Sequence, residues 1–258
     1  MIPMQTKIYE MITLADLFSL ANALCGILSV IVLLQGQTQL SAQLLLLAVI
    51  FDSVDGYIAR NFGSNDINHV VFGETIDSLA DVVSFAVAPS IILYIISGVN
   101  YIIIPVILIV LCGILRLTRY NASLNNYNQP VHTFVGLPIP VVSFTLAALI
   151  LADYINMILL FILMIIISIL MVSNISYPKV KEKRMLLVVA IITLLCIIPY
   201  SNTILFKIPS YLLIVCALMY ILAPLITILI KPDDLHNLQD KLSINSKSNS
   251  DTNDLFKR

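Results

Sequence analysis

The sequence predicts an all-α integral membrane protein, a polytopic helical bundle. Three observations predict it. Of 258 residues, 59% are hydrophobic and only 11% charged, where a soluble domain carries about 25% charged residues; the mean hydropathy is +0.99. Apolar stretches recur at the length of about 20 residues that a bilayer-crossing helix needs. Every Lys and Arg except Lys207 falls on one side when eight such stretches are threaded back and forth.

The stretches lie near 13–35, 39–60, 72–97, 100–120, 134–152, 155–173, 185–200 and 208–230. Thr13 stands where a helix N-cap is expected. The first stretch is long, is preceded by Lys7 alone and is followed by others, which is unlike a cleavable signal peptide. The seventh is short for a span, so six or seven crossings are the alternatives, but an even number keeps the basic loops together. Positive loops favour the cytoplasm. This places the N-terminal segment 1–12, the loops near 60–72, 116–133 and 174–184, and the tail 231–258 on the cytoplasmic face. Pro138 and Pro140 are expected to kink or open the fifth helix. Lys179, Lys181, Lys183 and Arg184 read as a topology anchor, with anionic head-group binding as the alternative. Residues 182–230 hold the additional C-terminal helices. The tail, rich in Asn, Ser, Asp and Lys, reads as a mobile segment without chemistry. A net charge of -1 argues against a nucleic-acid partner. Cys25, Cys112, Cys196 and Cys216 lie far apart in apolar runs, with neither disulfide nor zinc spacing.

The informative stretch is FDSVDGYIARNFGSNDINHVVFGETIDSLADVVSFAVAPS, residues 51–90. It sets Asp52, Asp55, Asp77 and Asp81 at or near the ends of two apolar helices. A carboxylate at bilayer depth costs about 2.5–3.5 kcal/mol on insertion scales. Nearby bases, Arg60 in sequence and Arg116 and Arg119 from the fourth stretch, are too few to neutralise four of them. Asp52 and Asp55 are i,i+3 and Asp77 and Asp81 are i,i+4, so each pair shares a helix face. A hairpin of the two helices brings the pairs to one point. Oxygen ligands without His or Cys suit Mg²⁺, Mn²⁺ or Ca²⁺, and two ions about 3.5–4 Å apart suit phosphoryl chemistry. Gly56 and Ala59 follow on the Asp52/Asp55 face and Gly73 precedes Asp77 by one turn. These missing side chains leave room for a ligand, and the fork of Arg60 is placed to reach a phosphate. Helix-end caps and interfacial charges are the plainer reading of the four carboxylates.

The run Asp52-x-x-Asp55-Gly56-x-x-Ala59-Arg60, followed by Gly73-x-x-x-Asp77-x-x-x-Asp81, resembles the signature of the CDP-alcohol phosphatidyltransferases. IDSLADVVSFAVAPS (76–90), LRLTRYN (115–121), FVGLPIP (134–140), MVSNISYPKVK (171–181) and LADLFSLANALCG (14–26) are similar to its phosphatidylserine synthase branch of bacterial and archaeal membrane type. The resemblance implies a six-helix core over 13–181, to which the apolar stretches add about two C-terminal transmembrane helices. It also implies a homodimer and transfer of a phosphatidyl group from a CDP-lipid to an alcohol, with release of CMP. One departure stands out. Asn61 to Phe72 separate Arg60 from Gly73, more than the family usually has there, and the turn formers among them read as an enlarged loop.

The resemblance carries roles to matching positions. Asp52, Asp55 and Asp77 ligate Mg²⁺ or Mn²⁺, with two ions expected and Ca²⁺ a candidate to bind without activity. Asp81 ligates the second ion or sits beside it and serves as general base toward L-serine. Asp52, Asp55, Gly56, Ala59, Arg60 and Gly73 form the nucleotide side. Arg116, Arg119 and Asn121 are candidates for the lipid phosphate or the serine, with topology anchoring the alternative for the two arginines. Asn22 is a weaker candidate for a polar contact. His69 and His132 read as solvated loop histidines, and Glu74 and Asp66 as loop charges. CDP-diacylglycerol and CDP-archaeol present the same head group, so both stay open, the latter making an archaetidylserine synthase. Another acceptor, glycerol 3-phosphate or inositol phosphate, is the nearest rival. A cation transporter and a catalytically dead membrane scaffold are readings of other classes.

Overall fold

The computed structural model describes residues 7–63, 66–124, 134–177, 183–198 and 204–230. His132, Lys179, Lys181 and the tail from Lys231 lie outside them. The elements run α1 (Ile8–Met11), α2 (Leu14–Leu34), α3 (Thr38–Phe62) and α4 (Ile67–Asp81). Then come a π-helical segment (Val82–Val87), α5 (Ala88–Ser97), a 3₁₀ turn (Asn100–Ile102) and α6 (Ile103–Leu124). The second half holds β1 (Phe134–Val135), α7 (Pro140–Leu151), α8 (Met157–Val172), β2 (Ser176–Tyr177), α9 (Lys183–Ile197) and α10 (Ile208–Ile230). The chain is an all-α membrane protein. Four helical stretches among the described residues are long and apolar enough to cross a bilayer: Leu14–Leu34, Thr38–Phe62, Asn68–Ser97 and Asn100–Ser123.

The start of α2 follows from its sequence. Thr13 and Asp16 form a capping box, with the Asp16 carboxylate accepting from the Thr13 N–H at 2.6 Å. Along α2, Leu17, Leu20, Leu24, Ile27, Ile31 and Leu34 point outward and are exposed. That apolar face suits lipid. The opposite face buries Asp16, Ser19, Asn22, Gly26 and Ser29. The helix is thus inverted relative to a soluble one, with its polar and small stripe turned inward. Gly26 permits a close crossing there, since a Cβ would stand 2.6 Å from Ser84 Oγ and 2.8 Å from its Cα. Ser84 lies in the π segment. Its hydroxyl donates to the Asn22 carbonyl at 2.8 Å, and its own carbonyl accepts from Ser143 Oγ at 2.7 Å. The wider π turn frees a carbonyl for α7 to use.

Helices α2 and α3 form a hairpin, α4 packs on α2, and α7 lies against α3 and α10. Leu45 and Leu46 of α3, Phe85 of the π segment, Ile92 and Leu93 of α5, Ile109 of α6 and Leu146 of α7 are fully buried between them.

Three expectations are corrected. The residues from Asn61 to Phe72 do not enlarge the loop. Helix α3 runs on to Phe62 and α4 starts at Ile67, so the extra length becomes helix and only 63–66 connect. Asp66 caps α4 by accepting from the Asn68 N–H at 3.0 Å. Accordingly Glu74 is a helical, partly buried residue, and His69 sits on α4 with Nδ1 3.2 Å from the Met11 carbonyl oxygen. The fifth apolar stretch is not helical from 134. Phe134 and Val135 pair antiparallel with Tyr177 and Ser176, and Gly136 turns the chain at φ +82°. The prolines therefore do not kink the fifth helix. Pro140 occupies its first turn, where a missing N–H costs nothing.

Candidate active site

The last turns of α3 and the body of α4 bring the carboxylates together. Asp52, Asp55 and Asp77 each offer an oxygen within 4.8 Å of the other two. Asp81 lies alongside, in hydrogen-bonding reach of Asp52. Asp55 and Asp81 are buried, while Asp52 and Asp77 are half-buried. The added helical length in 61–72 therefore leaves the pairs at matching height. Asp16 of α2 adds a further carboxylate near Asp77. Among the described residues Arg116 of α6, only 8% exposed and with an unpartnered Nε, is the buried cation whose charge acts on Asp52 and Asp81, with Arg60 acting on Asp52 as well.

So much like charge at low dielectric is repulsive unless a cation joins it. The donor set answers which kind. Three convergent carboxylates with no nitrogen or sulfur ligand fit a hard divalent ion, Mg²⁺ or Mn²⁺. The residues present thus fit such an ion, which Asp52, Asp55 and Asp77 would hold.

The clearance positions are lined by other side chains. A Cβ on Gly73 would stand 2.9 Å from Asp16 Oδ1, and one on Gly56 would stand 3.3 Å from the Arg60 guanidinium. Arg60 itself is exposed at the end of α3, and Ala59 is exposed beside it. Asn121 pairs with Ser78, donating from Nδ2 at 3.0 Å, and so ties α6 to the Asp77 turn of α4.

Arg116 and Arg119, one turn apart, have different surroundings. The Arg119 guanidinium donates to the carbonyls of Val135 at 2.9 Å, Ser173 at 3.1 Å, and Met171 and Val172 at 3.2 Å. It thus caps the C-terminal end of α8 and pins β1, instead of pointing freely at a ligand. Together with Leu115, Arg116 and Val172 it lines a cleft of about 180 Å³.

Two residues bearing on the site were not singled out from sequence, Asp16 and Ser19, and Asn22 was only a weak candidate. Ser19 Oγ donates to Asp55 Oδ2 at 2.7 Å, and Asn22 Nδ2 approaches Asp81 Oδ1 at 3.4 Å. Their signal was present: Asp16, Ser19, Asn22, Gly26 and Ser29 recur every three or four residues in an otherwise apolar helix.

The family pattern of CDP-alcohol phosphatidyltransferase matches residues 12–173. The chain belongs to that family. This phosphatidyltransferase is 42% identical over 177 residues to a protein of Methanothermobacter thermautotrophicus named archaetidylserine synthase, covering 67% of this chain and 73% of that one. It is 36% identical over 214 residues to a CDP-diacylglycerol–serine O-phosphatidyltransferase of Methanocaldococcus jannaschii, covering 81% and 92%. A protein of the same name from Helicobacter pylori is 33% identical over 179 residues, covering 66% and 73%. The phosphatidyltransferase is a membrane enzyme of phospholipid biosynthesis, as its signature implied.

Proposed function

We propose that this phosphatidyltransferase moves the phosphatidyl or archaetidyl group of a CDP-lipid onto the hydroxyl of L-serine, releasing CMP. The observation that carries the reading is the convergence of Asp52, Asp55 and Asp77 within 4.8 Å, with Asp81 beside Asp52. The names of the relatives support serine as acceptor.

Asp52, Asp55 and Asp77 hold Mg²⁺ or Mn²⁺, two ions in this reading, and Ca²⁺ binds there without turnover. Bound there, the ions neutralise the pyrophosphate and the charge that develops on the leaving CMP. Gly56 and Gly73 let the Arg60 guanidinium and the Asp16 carboxylate approach the backbone on the nucleotide side, exposed Ala59 flanks it, and Arg60, folded over Gly56, meets a phosphate there. Asp81, buried beside Asp52, accepts the proton of the serine hydroxyl. The serine oxygen attacks the lipid-side phosphorus, a new P–O bond forms, and the bond to the CMP oxygen breaks with its electron pair leaving on CMP. A carboxylate is a weak base, so its contribution comes from position. Arg116, whose buried Nε has no hydrogen-bond partner, meets the lipid phosphate or the serine carboxylate; Asn121 holds the Asp77 turn from behind. Arg119 shapes the cleft beside Arg116. In this reading the site faces the cytoplasm, both termini lie on that face, and the enzyme works as a homodimer.

The test is CMP release by the purified full chain in detergent with Mg²⁺ or Mn²⁺. CDP-diacylglycerol and CDP-archaeol are each offered with serine, glycerol 3-phosphate, inositol or inositol phosphate. Release with serine alone, abolished by a chelator, is the expected result, and the better CDP-lipid names the natural substrate. Release with a phosphorylated acceptor and not serine overturns the acceptor. No release with any pair removes the transfer reading and leaves a carboxylate metal site suited to cation transport.

A further inference from the structure

Helix α2 contributes nothing to the Asp-Gly-Arg signature, yet it carries side-chain donors to two of its carboxylates. Ser19 Oγ has one proton and two acceptors in reach, the Ala15 carbonyl at 3.4 Å and Asp55 Oδ2 at 2.7 Å. The short contact is the length of a hydroxyl bound to a carboxylate. Ser19 therefore turns away from its own helix and clamps one oxygen of Asp55 at 3% exposure. One turn on, fully buried Asn22 faces Asp81 with Nδ2 at 3.4 Å, and its backbone carbonyl is held by Ser84 of the π segment. Gly26 fixes how closely that segment approaches α2. The donors thus sit on a rigid crossing.

We propose that Ser19 and Asn22 are positioning residues with separate duties: Ser19 sets the rotation of the Asp55 carboxylate for cation binding, and Asn22 sets Asp81 for proton acceptance. The division follows from the partners, since Asp55 belongs to the convergent trio and Asp81 stands beside it. The Ser19 half needs only the carboxylate site. The Asn22 half rests on the proposed transfer to serine. Removing a hydrogen-bond partner of a metal ligand costs about 10–100-fold in affinity or activity.

Mn²⁺ binding to the full chain in detergent, followed by the electron paramagnetic resonance of free Mn²⁺ without substrate, tests the first half. Ser19→Ala is expected to weaken Mn²⁺ binding by about tenfold, and Ser19→Thr, which keeps the hydroxyl, to restore it. Ser29→Ala is the control, because Ser29 donates only to the Gly26 carbonyl at 2.6 Å on the same helix; it should bind Mn²⁺ as the wild type does. Asn22→Ala is expected to keep Mn²⁺ affinity within about twofold while kcat with serine falls about tenfold at unchanged KM. Thermal melts of all variants identify any that are misfolded. Equal Mn²⁺ affinity in Ser19→Ala and wild type overturns the Ser19 role, as does an equal loss in Ser29→Ala. Weakened Mn²⁺ binding in Asn22→Ala overturns the division of duties. Wild-type protein that binds no Mn²⁺ overturns both the inference and the metal site. Mn²⁺ binding that depends on Ser19, in a chain that releases no CMP, upholds the Ser19 role and removes only the transfer reading.

Discussion

The half of the molecule from α2 to α6 and the half from α7 to α10 are both built of apolar helices, but they bury different chemistry. The first buries Asp16, Asp55, Asp81 and Arg116. Among the described residues the second buries hydroxyls instead, Ser143, Thr145, Ser168, Thr193 and Ser210. Several of those bond back to their own helix: Ser168 to Met164, Thr193 to Val189, and Ser210 to the Lys207 carbonyl at its start. Such back-bonding satisfies a buried hydroxyl locally and commits it to nothing else. Ser19 and Ser84 in the first half reach across to another helix, and Ser143, the exception in the second half, reaches back to the Ser84 carbonyl of the first. In a membrane bundle, a buried polar group whose partner lies on another helix marks a site more sharply than burial does, since an unused polar group at that depth is costly.

The contrast can be broken at several points. The largest effect is expected from Asp77→Asn, which removes one of three converging charges. CMP release should fall on the order of 10³-fold, and Mn²⁺ binding should fall with it. Activity retained within tenfold would mean that the trio holds no cation used in the reaction. Next is Arg116→Met, which keeps the volume and removes the buried charge beside Asp52 and Asp81. A drop on the order of 10²-fold in kcat/KM is expected, against little change if Arg116 only anchors the fold. Gly136→Ala probes the junction of the halves. The residue sits at φ +82°, and a Cβ would lie 2.3 Å from the Met171 carbonyl oxygen and 2.6 Å from the Arg119 guanidinium. A loss of about 2 kcal/mol or more should appear as a lower melting temperature, and an unchanged melt would show that the Arg119 cap is dispensable. The smallest effect belongs to the exposed ion pair of Lys207 with Asp153 in the second half. Lys207→Ala should cost less than about 1 kcal/mol and leave CMP release unchanged; a large loss of activity there would erase the distinction between the halves.

Much of the first half was legible because its signals are periodic. The pairs at i,i+3 and i,i+4 put Asp52 with Asp55 and Asp77 with Asp81 on common faces, and α3 and α4, each packed on α2, bring Asp52, Asp55 and Asp77 within 4.8 Å of one another. Thr13 caps α2 as read. Within 61–72 Gly63 and Asp66 do border the connection, but Asn68, a turn former locally, is held in helix by the packing of α4 on α2. Arg116 and Arg119 were read as equals, since both follow the same apolar run. Only the fold shows that carbonyls at the end of α8 occupy one and leave the other buried with an unpartnered Nε.

The sequence by itself determined the solvent, the helical class and the carboxylate cluster: apolar length sets the bilayer as surroundings, and helical spacing puts oxygen ligands suited to a divalent cation on shared faces. Tertiary structure decided which side chains serve that chemistry from outside the signature. Ser19 reaches Asp55 across 36 residues of chain and Asn22 reaches Asp81 across 59. No local rule encodes such contacts. They arise from packing: α3 lies along α2 at Ser19, and bare Gly26 lets the π segment after Asp81 approach α2 closely near Asn22.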